Sequence, residues 1–220
     1  MGGVASGAAH DTDGAFMGFV TTIIIAINLA VFAMWTFADA SSEMPQFLID
    51  NFLVSWTAIT EGRPWTLVTS VFSHNLLWHL FLNMYALSSF GAVMERSLGV
   101  FRYLRFYFVA GIIGSFCHAA VSAFIIGNPD LPAHGASGAI AGIILLFSLL
   151  FPREKLLILG IIPIPAIFGA LLFVGLDIWG LVAQAEGGGL PIGHGAHLGG
   201  ALTGLIYYLL YFRRRVRTLA

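Results

Sequence analysis

The sequence is short of charge and nearly devoid of cysteine. Only 10% of its 220 residues are Asp, Glu, Lys or Arg, and 58% are hydrophobic, whereas soluble domains carry about 25% charged residues. Too little polar surface remains to face water on all sides, which excludes an ordinary soluble domain. The lone Cys117 excludes an internal disulfide framework and a thiolate metal site, and within its apolar stretch it reads as a small packing residue. Residues 1–15 include Asp11 and Asp13 but no Lys or Arg. They lack the basic start of a secretory signal and the arginines of a transit peptide, and read as a short disordered lead-in. The formal net charge of −1 says little by itself, because what matters is where the charges sit, and no nucleic-acid partner is expected.

What the chain does have is apolar runs, several reaching the ~20 residues a bilayer crossing needs. Hydropathy predicts six helices, at 16–37, 78–94, 104–126, 137–151, 156–179 and 197–212. The expected fold is an all-α membrane protein, a six-helix bundle over 16–212 followed by a basic tail at 213–220. The fourth helix is short and rich in Gly and Ala, which suits a position surrounded by other helices and reached from a water-filled depression.

Charge orients this bundle. Arg96, Arg102, Arg105, Arg153, Lys155, Arg213, Arg214, Arg215 and Arg217 fall on one side of a six-span arrangement, and only Arg63 falls on the other. The positive-inside rule makes the basic side cytoplasmic, with both termini there. The opposite side carries Asp39, Glu43, Asp50, Glu61, Asp130 and Glu186. It also carries the long connection 38–73, whose interleaved apolar and aromatic residues predict an interfacial segment anchored by Trp56 and Trp65. Short loops and the missing leader point to a prokaryotic plasma membrane.

Ionisable and polar groups inside a membrane cost free energy and therefore default to functional candidates. Three clusters qualify. In LPAHGASGAIAG (131–142), Pro132, Gly135 and Gly138 mark a turn that places Ser137 near a helix start, beside free backbone N–H groups and the positive end of the helix dipole. Read alone, Gly135-x-Ser137-Gly138 serves close packing better than catalysis, because Gly138 and Gly142 form a small-xxx-small pair. In GHGAHLGGALTG (193–204), His197 shares a helix face with Gly200 and Gly204. Those glycines admit a neighbouring backbone, and if that neighbour is the fourth helix, His197 reaches Ser137 as a base for its hydroxyl. His194 reads as a more exposed, interfacial residue. In SHNLLWHLFLNMYAL (73–87), His79 and Asn83 project from one face as a donor pair suited to an oxyanion. His74 reads as a structural hydrogen-bonding residue that orders the loop or His79.

Taken in order, the three clusters resemble the rhomboid family of intramembrane serine proteases over nearly the whole chain. The pattern is H-x4-H-x3-N at His74, His79 and Asn83, G-x-S-G at Gly135 to Gly138, and A-H-x2-G-x3-G at Ala196 to Gly204. RPW before the second helix and GAVMER at its end match as well, with Glu95 a structural partner at that end. The resemblance implies Ser137 as nucleophile, His197 as general base, and His79, Asn83 and the Ser137 N–H as the oxyanion hole. It also implies Gly200 and Gly204 as the packing surface against the fourth helix, transmembrane proteins as substrates in a lipid setting, and no metal or other cofactor.

One departure stands out. Some family members stack the base histidine on an aromatic residue one turn after the nucleophile, and here that residue is Ala141. Nothing in the sequence names a substitute, and Asp177 reads as an interfacial or helix-terminal acid rather than as a third catalytic member. His118 and His134 are expected as a packed and a loop histidine without assigned roles. The competing classes are a catalytically inactive relative that binds transmembrane clients, and a metal carrier or metalloprotease using His74, His79, His134, His194 and His197. The second is disfavoured by the absence of H-E-x-x-H.

Overall fold

The computed structural model describes residues 18–158 and 161–213, so the lead-in at 1–15 and most of the basic tail lie outside the described residues. The chain runs through α1 (Phe19–Phe37), a first connection holding α2 (Met44–Phe52), α3 (Trp56–Thr60) and α4 (Thr66–Thr69), then α5 (Leu77–Ala86) and α6 (Ala92–Leu98) joined by a π-turn. α7 (Val100–Val121), α8 (Ser137–Leu150), a hairpin of β1 (Lys155–Ile158) and β2 (Ile162–Pro165), α9 (Ala166–Ala185) and α10 (His194–Tyr211) complete it.

Among the described residues, three helical stretches are long and apolar enough to cross a membrane: Phe19–Phe37, Val100–Ile126 and Ala166–Ala185. A fourth is added if Thr66–Phe72 and Leu77–Leu98, bent by 92° at their junction, count as one. α8 has 14 residues, about 21 Å at 1.5 Å per residue, against a hydrocarbon core of about 30 Å. The protein is therefore a mostly helical membrane bundle.

Two expectations change here. The chain is not wholly α-helical, and the predicted helix at 156–179 begins too early. Lys155 to Ile158 pair antiparallel with Pro165 to Ile162, and the helix runs instead over Ala166–Ala185. Prolines 163 and 165 cause this: each lacks an N–H, and each holds the residue before it in extended backbone. Ile162 and Ile164 are thereby committed to a strand, and the helix starts directly after Pro165.

The centre of the molecule is α7, α8 and α10. Tyr103, Phe106 and Tyr107 of α7 and Ile143 and Leu146 of α8 are buried, and the small residues of α8 and α10 let those helices meet backbone to backbone. A methyl group added at Gly142 would lie 2.8 Å from the Gly200 carbonyl oxygen, and one at Gly204 2.6 Å from that of Gly142. At Gly200 it would collide with the Gly138 carbonyl. The expected close approach of the two helices at Gly138, Gly200 and Gly204 is thus present.

Glu95, expected to be structural, is buried and caps α1. Its carboxylate accepts from the backbone N–H of Val20 (3.0 Å) and Thr21 (2.9 Å) and from the Thr21 hydroxyl (2.8 Å). The N-cap residue of α1 is Gly18, which has no side chain to offer, so a carboxylate from a distant helix satisfies first-turn donors and faces the positive dipole end. The first connection anchors the turn before α8. Val54 and Ala133 exchange backbone hydrogen bonds of 3.0 and 2.8 Å, and the Gly135 N–H donates to the Ser70 carbonyl at 2.8 Å. Of the two expected anchors, Trp65 is exposed, while Trp56 packs edge-on against Phe124 with ring centroids 4.7 Å apart.

Candidate active site

Ser137 is the first residue of α8. The tie between Gly135 and Ser70 sets its approach, and Gly135 has φ +117°, a backbone conformation that favours glycine. A side chain there would also come within 2.7 Å of the His79 ring. Both conformation and space therefore require the glycine named from the sequence. The first-turn N–H groups of α8 have no intrahelical acceptor.

His197 lies in the first turn of α10 and reaches this hydroxyl: its Nε2 is 2.9 Å from Ser137 Oγ. The packing of α8 on α10 through Gly138, Gly142, Gly200 and Gly204 brings these two residues, 60 positions apart in sequence, within one hydrogen bond. On its other side, His197 Nδ1 is 2.9 Å from Asp177 Oδ1. A carboxylate oxygen only accepts, so Nδ1 carries the hydrogen and the Nε2 lone pair faces the serine O–H. That tautomer and that orientation are those of a base poised to take the Ser137 proton.

The sequence left the orientation of His197 unexplained, and α9 supplies it. Phe173 lies beside the imidazole, with ring centroids 5.5 Å apart and planes 31° from parallel. Asp177, four residues on, holds its Nδ1–H. The expectation that Asp177 is interfacial or helix-terminal is corrected: it lies within α9 and is 4% exposed. His194 is corrected too. It is 6% exposed rather than interfacial, and its Nδ1 is 2.7 Å from the same Asp177 Oδ1. The signal was present as F-x3-D, a spacing that puts both residues on one helix face, but only tertiary packing shows that this face meets His197.

Asp177, His194 and His197 offer ligand atoms that lie within 4.8 Å of one another, so they could hold a metal ion. The same three side chains are also joined without an ion, by the two hydrogen bonds from the histidines to Asp177 Oδ1.

His79 and Asn83 line, with Ser137 and His197, a cavity of about 540 Å³. Asn83 Nδ2 donates to the His79 carbonyl at 2.8 Å, which leaves its second amide hydrogen available. His74 is fully buried, but the hydrogen bond expected of it is not found: neither ring nitrogen has a partner among the described residues. It packs edge-on against His79, with ring centroids 4.9 Å apart, and both rings lie against the turn at Gly135. His134, expected only as a loop histidine, is half-buried at the rim with Nε2 2.7 Å from Asn75 Oδ1. Burial, reinforced by neighbouring His79 and His118, pushes its pKa down from 6.5 to about 4. It is neutral at pH 7 and donates to the amide oxygen.

A helical membrane bundle with a partly buried Ser–His–Asp chain lining a mostly apolar cavity is the class of protein that fold and site define. The Rhomboid domain family model matches residues 61–214, and the chain belongs to the rhomboid family. It is 32% identical over 206 residues to RHOMBOID-like protein 12, mitochondrial, of Arabidopsis thaliana, covering 88% of this chain and 59% of that protein. It is 33% identical over 191 residues to Rhomboid protein 1, mitochondrial, of Saccharomyces cerevisiae, covering 84% and 51%. Over 191 residues it is 35% identical to Presenilin-associated rhomboid-like protein A, mitochondrial, of Danio rerio, covering 84% and 46%.

The chain thus spans about half the length of these relatives. Their names overturn the expected prokaryotic plasma membrane, and with it the assignment of both termini to a cytoplasm, and point to an organellar membrane.

Proposed function

We propose that this chain is an intramembrane serine endopeptidase that cleaves transmembrane segments of other membrane proteins. The observation that carries the reading is the continuous hydrogen-bonded path from Ser137 Oγ through His197 to Asp177. His197 Nε2 takes the Ser137 proton as Oγ attacks the scissile carbonyl carbon. The resulting oxyanion accepts from the His79 ring, the free Asn83 amide hydrogen and the Ser137 backbone N–H. Collapse expels the new amine, protonated by His197, and leaves an acyl-serine. Water deprotonated by His197 then hydrolyses this ester and restores the serine. Asp177 fixes the His197 tautomer and stabilises the imidazolium without taking the proton itself.

In this reading α1, the α5–α6 pair, α7, α8, α9 and α10 form six spans, with short α8 shielded by its neighbours and the first connection lying in the interface. Among the described residues, the basic side chains other than Arg63 gather at the ends of α6, α8 and α10 and at the start of α7, opposite the site, so cleavage occurs near the face away from them. A substrate helix must unwind locally to expose its backbone, which small and helix-weakening residues ease. The lateral entrance lies between α5 and α9.

Purified protein in detergent is expected to cleave a model transmembrane substrate. Ser137→Ala should lower turnover by about 10⁴–10⁶-fold at unchanged thermal stability. Chelator-sensitive cleavage that survives Ser137→Ala overturns the mechanism in favour of a metal. Substrate binding without turnover by the wild type favours a client-binding relative.

A further inference from the structure

The Ser–His–Asp path does not end at the aspartate. Asp177 Oδ1 receives two N–H groups, one from His197 at 2.9 Å and one from His194 at 2.7 Å, while Asp177 Oδ2 is buried with no partner among the described residues. Both His–Asp pairs are shielded, with side-chain exposures of 8% for His194, 13% for His197 and 6% for Asp177. A carboxylate held by a single donor can still rotate about its Cβ–Cγ bond and offer either oxygen. A second donor from another direction fixes which oxygen faces His197 and where it sits.

The fold provides a seat for that second donor. The His194 ring lies directly over Gly180, where any side chain would occupy the space of the imidazole. Gly180 is three residues after Asp177 and so lies on the same face of α9. His194 also begins α10 and is three residues before His197. Two histidines from one turn of α10 therefore clasp one carboxylate of α9. The contact matters because α9 is sparsely packed: Leu171, Leu172, Leu176 and Trp179 are all exposed within the protein.

We propose that His194 is a positioning residue for this active site. It acts through Asp177, holding the carboxylate in register with His197 and pinning α9 to the rigid α8–α10 core, so that the working unit is Ser137–His197–Asp177–His194. It touches neither substrate nor the reacting atoms, and its whole effect passes through the orientation of His197. The inference rests on the serine-protease reading above and extends it by one residue.

The test compares His194→Leu, which removes the donor, with His194→Asn, whose amide nitrogen takes up the place of Nδ1 and can still donate to Asp177. In cleavage of a model transmembrane substrate, His194→Leu should lower kcat by about tenfold to a hundredfold, the scale of a small misplacement of catalytic groups, with KM unchanged. His194→Asn should restore most of it. In an Asp177→Asn background, His194→Leu should add little, because both changes break one coupled unit.

Equal losses for the Leu and Asn variants, or additive losses in the double variant, overturn the positioning role. So does a loss confined to KM, or full activity in His194→Leu. Independently of turnover, the Ser137→Ala protein in detergent should show a downfield Nδ1–H proton resonance for His194 that disappears with Asp177→Asn, and its absence overturns the inference. If the wild type cleaves nothing while that resonance is present, the protease reading fails and the clasp stands.

Discussion

α8 and α9 both contribute to the site, and they are built in opposite ways. α8 buries nine of its 14 residues and meets α10 through glycines so closely that carbonyl oxygens occupy the places where side chains would begin. α9 buries only Ala166, Ala170, Asp177 and Gly180 of its 20 residues, and large apolar side chains cover the rest of its surface. Ser137 and His197 thus sit on the tightly packed pair, while Asp177 and Phe173, which flank the His197 ring, sit on the loosely packed helix. Positional precision for Ser137 and His197 comes from backbone contact that tolerates no added atom. The orientation of His197 comes from two contacts, one polar and one aromatic, to a helix whose remaining surface is largely exposed within the protein.

The sharpest way to break this contrast is to fill the tight interface. Gly200→Leu should destabilise the fold by about 3 kcal/mol or more, because α10 cannot recede from the Gly138 carbonyl without losing the whole contact. Thermal unfolding in detergent should show the loss, and cleavage should fall in step with folded protein. A stable, active Gly200→Leu variant contradicts the packing described.

On the loose side, chemistry and stability should separate. Asp177→Asn should lower kcat by about 10²–10⁴-fold, the scale on which losing the group that sets the histidine tautomer acts. The melting temperature should move far less than in Gly200→Leu. A change below threefold in kcat would show that His197 is oriented by Phe173 alone.

The smallest effect concerns the rim. His134 has its pKa lowered from 6.5 to about 4 in the folded state, so between those pH values the unfolded chain binds a proton that the folded one refuses. Stability from this group is complete above pH 6.5 and declines as pH falls toward 4. Denaturation followed from pH 7 to pH 4 should show that decline, flattened in His134→Asn. An equal slope in both proteins would assign the acid sensitivity elsewhere.

How far the site was legible differs residue by residue. Ser137, His79, Asn83, Gly135 and His197 could be named in advance because each sits in a short motif whose spacing carries local meaning: a turn into a helix, an i, i+4 donor pair, a histidine on a glycine face. Asp177 and His194 were misjudged because their roles arise between helices. An isolated acid in an apolar helix reads as a terminal or interfacial residue until the histidines of α10 are seen to meet it, and the third residue before His197 gains meaning only from Gly180 opposite. The start of α9 was misplaced for a local reason, since hydropathy does not register that prolines 163 and 165 impose extended backbone on the isoleucines before them.

The sequence by itself determined the membrane setting and the order of the helices, and it singled out Ser137, His197, His79 and Asn83 as the candidate nucleophile, base and oxyanion donors. Composition, apolar runs and motif spacing are properties of the chain that survive without any knowledge of packing. Only the tertiary structure decided what aims the base. Phe173, Asp177 and His194 act across an interface between α9 and α10, where a shift of a fraction of an ångström decides whether a hydrogen bond forms. No periodicity within either segment encodes which face of one meets which face of the other.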